Sequence, residues 1–110
     1  MNKTGIKDCD LETLKEGLKD KSIILIDIRE LQDYRSGHIP GALSFPVTQL
    51  DMRVVSLLST QGEKKRLIIV GKDNAQSLQA IELLKSVGLS VDTYFSKGFT
   101  GWQEAGEPVE

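Results

Sequence analysis

The chain has 110 residues, 39% of them hydrophobic and 27% charged, with a net charge of −2. That length suits a single domain spanning residues 1–110, and a chain of this size buries about two-thirds of its unfolded surface, enough for a core without staples. The slightly acidic balance (pI ≈ 5.4) speaks against a nucleic-acid module held by a basic face. One cysteine, Cys9, and one histidine, His38, exclude an internal disulfide framework, a cysteine-based zinc cluster and a multi-histidine metal site. No stretch approaches the roughly 18 apolar residues that span a bilayer. The N-terminus lacks an apolar signal core, so the expectation is no membrane, no export and a cytoplasmic setting, which also fits an unpaired thiol.

Taken in chain order, Ile6 marks a possible short first strand. Leu11, Leu14 and Leu18 then repeat at helical spacing, with Asp10 or Asp8 as the candidate N-cap. Residues 23–28 (Ile-Ile-Leu-Ile-Asp-Ile) and 67–70 (Leu-Ile-Ile-Val) are nearly continuous apolar runs. Continuous rather than alternating hydrophobicity is what a strand covered on both faces requires, so these runs predict a parallel sheet with helices on each side. Ala42 to Phe45 can add a short strand, and Val91 to Phe95 reads as a third, weaker one, interrupted by Asp92 and Thr93. A second apolar stripe runs through Leu50, Val54, Leu57 and Leu58. A third runs through Leu78, Ile81, Leu84 and Val87 and stops at Gly88. A last helix covers Gly101 to Ala105 and stops at Gly106. Alternating strands and helices predict a compact α/β domain, in which ligands meet the loops at the carboxyl ends of the strands. The loops after Asp27 and after Val70 are therefore the ones that matter.

The run from Asp27 to Ala42 is the most informative. Asp27 and Arg29 lie two apart, so their side chains leave the same face of the strand, and half-buried charges at a strand end need partners. Pro40-Gly41 suits a type II turn, with Gly41 supplying the positive φ. The plain reading is a structured turn in which Arg29 and His38 make local hydrogen bonds. No nucleophile stands near His38 in sequence to make it a general acid or base.

Leu25-Ile-Asp-Ile-Arg-Glu, Tyr34 and Gly37-His-Ile-Pro-Gly-Ala42 together resemble the amino-terminal signature of the rhodanese (thiosulfate sulfurtransferase) family. The tail Lys97-Gly98-Phe99-Thr100-Gly101-Trp102, continuing to Val109, resembles its carboxy-terminal signature. The resemblance covers Ile6 to Val109. It implies a rhodanese-like α/β fold: a five-stranded parallel sheet flanked by helices on both faces, in a single-domain member. Asp27, Arg29, Gly37, His38, Pro40, Gly41, Gly98 and Trp102 are the signature positions, read as structural.

In that family the loop after the central strand opens with a catalytic Cys that carries a persulfide. An Arg closes the loop before a Ser that begins the next helix. The corresponding run here is Gly71, Lys72, Asp73, Asn74, Ala75, Gln76 and Ser77. Counting back from Ser77 sets Gly71 at the cysteine position and Gln76 at the arginine, so the nucleophile is absent. A strand, a loop over residues 71–76 and a helix opening at Ser77 would still offer a ring of N–H groups to an anion. Lys72 would add a cation, Asp73 an opposing charge, and Gln76 no guanidinium fork. The Walker spacing is missing, so no nucleotide-phosphate loop is read here. Cysteine phosphatases and arsenate reductases of related architecture use the same cysteine position, and those readings fall with it.

Cys9 stands at the start of the first helix between Asp8 and Asp10, whose charges disfavour a thiolate; it reads as a small, partly buried residue. Phe95, Phe99 and Trp102 read as core and loop anchors, Trp102 being the one expected beside the 71–76 loop. The expectation is a rhodanese-like domain without its catalytic cysteine, calling for no cofactor and no metal, that binds a protein partner or a small anion at the 71–77 segment. The alternative is a thiosulfate or persulfide sulfurtransferase working through Cys9 or another sulfur carrier.

Overall fold

The computed structural model describes residues 5–50, 56 and 65–110. Five parallel strands are present among them: β1 (Lys7–Asp8), β2 (Ile23–Asp27), β3 (Leu43–Ser44), β4 (Arg66–Val70) and β5 (Thr93–Tyr94). They are ordered β1-β5-β4-β2-β3, which places β4 at the centre. The helices are α1 (Leu11–Asp20), α2 (Leu31–Ser36), α3 (Asn74–Ser86) and α4 (Gly98–Glu104), with a 3-10 turn at Val47–Gln49. This is the parallel α/β architecture that the apolar runs predict, with the five strands that the family resemblance implies.

β2 and β4 pair along their full length, Ile23 opposite Arg66 through Asp27 opposite Val70. Because side chains alternate across a strand, the runs feed two cores at once. Ile24, Ile26, Leu67 and Ile69 face one layer, with Ala80, Ile81 and Leu84 of α3. Leu25, Ile68 and Val70 face the other, with Leu14 of α1, Phe95 and Trp102. Continuous hydrophobicity is the direct consequence.

Asp10 caps α1, its carboxylate accepting the Thr13 N–H at 2.8 Å. Asp8 does other work: it accepts the Ser96 N–H at 3.0 Å and the Ser96 hydroxyl at 2.6 Å, tying β1 to the segment after β5. Of the second apolar stripe, Leu50 packs against the α3-side core, and Val54, Leu57 and Leu58 lie outside the described residues.

Two expectations are corrected. The buried face of α3 is Ser77, Ala80, Ile81 and Leu84, whereas Leu78 and Val87, expected on that stripe, are 37% and 45% exposed. The small side chains Ser77 and Ala80 take the sheet-facing positions between Ile81 and Leu84, so the true stripe runs i, i+3, i+4, i+7 from Ser77. The last helix opens at Gly98, ahead of the expected Gly101. In addition, α2 forms within a run read only as a turn. None of its residues is buried, so it carries no apolar periodicity to find.

The corrected α3 face makes a direct prediction. Ile81→Ala lowers stability by about 2–5 kcal/mol, while Leu78→Ala stays within about 0.5 kcal/mol, as measured by urea denaturation.

Candidate functional site

The carboxyl ends of β2 and β4 lie side by side, and the chain leaves each through a segment singled out in the sequence. After β4 comes Gly71, buried, and then Lys72, Asp73, Asn74 and Ala75, all exposed; Gln76 is half-buried and Ser77 buried. The helix begins at Asn74, not at Ser77 as expected. The connection is therefore only residues 71–73, and Asn74, Ala75, Gln76 and Ser77 are the first turn of α3.

The reason is local. Asp73 is a strong N-cap whose carboxylate accepts the Gln76 N–H at 2.8 Å. The Asp73 carbonyl accepts the Ser77 N–H at 3.2 Å. The Gln76 side chain folds back, its amide oxygen accepting the Lys72 N–H at 2.9 Å. Three N–H groups of the expected ring, those of Lys72, Gln76 and Ser77, are thus taken by the chain's own oxygens. A Cβ placed on Gly71 would stand 2.8 Å from Ser77 Oγ, 3.1 Å from Gln76 Oε1 and 3.2 Å from Ile28 Cδ1. Behind it, Gly98 adopts φ +64°, and a Cβ there would stand 3.1 Å from the Gly71 carbonyl oxygen.

After β2 the charges pair as the shared-face argument requires. Arg29 donates from Nε and a terminal nitrogen to both oxygens of Asp27, at 2.8–3.2 Å. Its backbone N–H adds a further bond to Asp27 at 3.0 Å. The same guanidinium donates to the Gly37 carbonyl at 2.8 Å and lies 4.3 Å from the centre of the Phe99 ring. Tyr34 donates its hydroxyl to the Ala42 carbonyl at 2.7 Å. The turn closes with Gly41 at φ +90° and the Ala42 N–H on the Ile39 carbonyl at 3.0 Å.

His38 stacks on Tyr34 with 3.8 Å between ring centres, and its Nδ1 lies 2.9 Å from the Tyr34 carbonyl. A carbonyl only accepts, so Nδ1 carries the proton. His38 also exchanges backbone hydrogen bonds with Glu110. Ring and backbone of His38 are thus both held by contacts within the protein. Trp102 packs in the core layer with Val70 and Phe95. Its indole N–H donates to the Pro108 carbonyl at 2.6 Å, because a buried indole needs an acceptor, and it borders a groove with Leu18, Pro40 and Lys15. Phe99 over Arg29 and Glu110 against His38 were not legible, since both pairings join the two ends of the chain.

A family model described as the rhodanese-like domain matches residues 10–105. The chain belongs to the rhodanese-like domain family. It is 27% identical over 105 residues to a protein named sulfurtransferase from Allochromatium vinosum, covering 94% of each chain. It is 26% identical over 102 residues to the putative sulfur carrier protein YrkF of Bacillus subtilis, covering 92% of this chain and 53% of that one. The chain spans about half the length of the first curated relatives it matches. Among solved structures, the Alr3790 protein of Anabaena sp. superposes with a TM-score of 0.78 at 28% identity, over 93% of this chain and 81% of that one. The BH2092 protein of Bacillus halodurans, at 24% identity, shares the fold with a TM-score of 0.82, over 100% of this chain and 80% of that one.

In this rhodanese-like domain the single thiol is not at the Gly71 junction. Cys9 is 6% exposed in the core layer with Leu14, Phe95 and Trp102, and its backbone N–H extends the β1–β5 pairing to the Tyr94 carbonyl. Burial pushes the thiol pKa up, with the neighbouring Asp10 charge adding to it and Arg66 opposing. Among the described residues no group of three or more His, Cys, Asp or Glu side chains could hold a metal ion. No helix there is long and apolar enough to cross a membrane.

Two predictions rest on this geometry. Arg29→Met leaves the Asp27 carboxylate buried without its partner and costs about 3–5 kcal/mol, whereas breaking the exposed Lys7–Asp92 pair costs at most about 1 kcal/mol; denaturant titration compares the two. Cys9 reacts with a thiol reagent at pH 7.5 at least ~10-fold more slowly than a free cysteine until denaturant is added. Since its folded pKa is raised, the stability this site contributes is complete below the ordinary thiol range. It declines as pH rises through that range, where only the unfolded chain gives up the proton, and Cys9→Ala removes that decline.

Proposed function

We propose that this rhodanese-like domain is a non-catalytic binding or regulatory module. Its contact surface is the exposed turn of the Gly71–Ser77 segment, and its partner is a protein. The observation that carries the reading is Gly71 itself. The first residue past the central strand has no side chain, and the volume before it is taken by Gln76 and Ser77. By the family resemblance, this is where the sulfur-carrying cysteine would stand.

A protein contact is favoured over a small anion because the Lys72 and Gln76 amides already have acceptors. Four neighbouring residues, Lys72 to Ala75, offer their side chains to solvent. They carry one positive and one negative charge, a surface suited to a polar protein contact and not to concentrating an anion. The competing reading is sulfur transfer through Cys9, which relatives named sulfurtransferase and putative sulfur carrier keep in play. It requires a thiolate, and Cys9 is buried, which pushes its pKa up.

Incubation with thiosulfate and cyanide separates the two. The expected result is thiocyanate formation at the rate of the protein-free mixture, with no sulfur adduct in the intact mass. Turnover in the usual enzymatic range, about 1–10³ s⁻¹, that disappears in Cys9→Ala overturns the module reading.

A further inference from the structure

We propose that Gln76 and Asp73 close the strand-to-helix junction above Gly71 against anions, Gln76 by occupancy and Asp73 by charge. The inference deepens the module reading and rests on it only in taking this junction as the site.

An uncapped helix N-terminus attracts negative charge through its free N–H groups and its dipole. Around the start of α3 the N–H groups of Lys72 and Gln76 are already taken by the chain's own side chains. The Gln76 amide oxygen sits where an anion's oxygen would, bonded to the Lys72 N–H at 2.9 Å. It lies 3.1 Å from the position of a Cβ on Gly71, so a group built at that position meets it directly. The Asp73 carboxylate, bonded to the Gln76 N–H at 2.8 Å, already takes one helix-end donor and brings a formal negative charge. An incoming anion would therefore meet a carboxylate and an amide lone pair where it needs donors, and a like charge nearby disfavours the charged form of any acid placed there. The buried Ser77 hydroxyl, 2.8 Å from that same Cβ position, is a group that could donate to an anion there. Lys72 is exposed, where solvent and salt screen its charge. Removing these two side chains, and not simply adding a thiol, is what reopens the junction.

The test uses substitutions that spare the helix. Asp73→Asn keeps a capping side chain, and Gln76→Ala keeps a helix former. Wild type and the double variant are titrated with inorganic sulfate while the backbone amides of residues 72–77 are followed by NMR. Saturable shifts are expected in the double variant and none in wild type over the same range. In parallel, Gly71→Cys is made in a Cys9→Ala background and its thiol titrated. Its pKa is expected at or above the ordinary value of about 8.5. Adding Asp73→Asn and Gln76→Ala lowers it by about one unit, which gives about tenfold more thiolate at pH 7. Saturable sulfate binding by wild type, no gain in the double variant, or a thiol already depressed in the Gly71→Cys protein each overturns the closure. Sulfur turnover through Cys9 in wild type would sink the module reading and leave these outcomes where they are.

Discussion

Asp27 ends β2 with 1% of its surface exposed, and Arg29 holds it from two residues further on while itself only 7% exposed. Neither charge survives burial alone, since an unpaired ion in a low-dielectric interior costs several kcal/mol. Together they leave the guanidinium a free edge, and that edge reaches the Gly37 carbonyl and the face of Phe99. The pair thus connects the end of an inner strand to the 37–42 turn and to α4. Without it, the 37–42 turn and α4 would lose the side chain that both touch.

From that anchor the rest of the upper surface follows. The turn fixed by Arg29 carries His38, whose backbone pairs with Glu110. The tail so held supplies the Pro108 carbonyl to Trp102 and the Glu107 carboxylate to Lys15 at 3.2 Å. Phe99 belongs to the same helix whose first residue, Gly98, leaves little room for a Cβ beside the Gly71 carbonyl. Polar groups buried here are tied to one another, an arrangement that rigidifies a site. The Gly71 junction sits beside this network, with the Gln76 side chain folded onto the Lys72 N–H.

Much of the fold was legible. The continuous runs at 23–28 and 67–70 announce two-sided burial, Pro40-Gly41 announces its turn, and Asp10 announces the start of α1. The face of α3 was misjudged because leucine and valine outweigh serine and alanine in a hydrophobic pattern. A helix lying close to a sheet instead places its small residues inward. The helix start at Asn74 was misjudged for a related reason: counting from Ser77 as the helix opening passed over Asp73, whose capping strength decides where the first turn forms.

The sequence by itself determined the layers, the parallel sheet, that the charges at 27 and 29 need partners, and that a glycine follows the central strand. Each of these depends on neighbours within a few positions, where periodicity and turn chemistry act. Only the tertiary structure decided that Gln76 folds back onto Lys72, that Gly98 backs Gly71, and that Trp102 turns to Pro108. Those contacts depend on which segments the sheet brings within 3 Å or so of each other, and spacing along the chain carries no record of that distance. A glycine in the sequence says only that a side chain is missing; the fold shows what has taken its place.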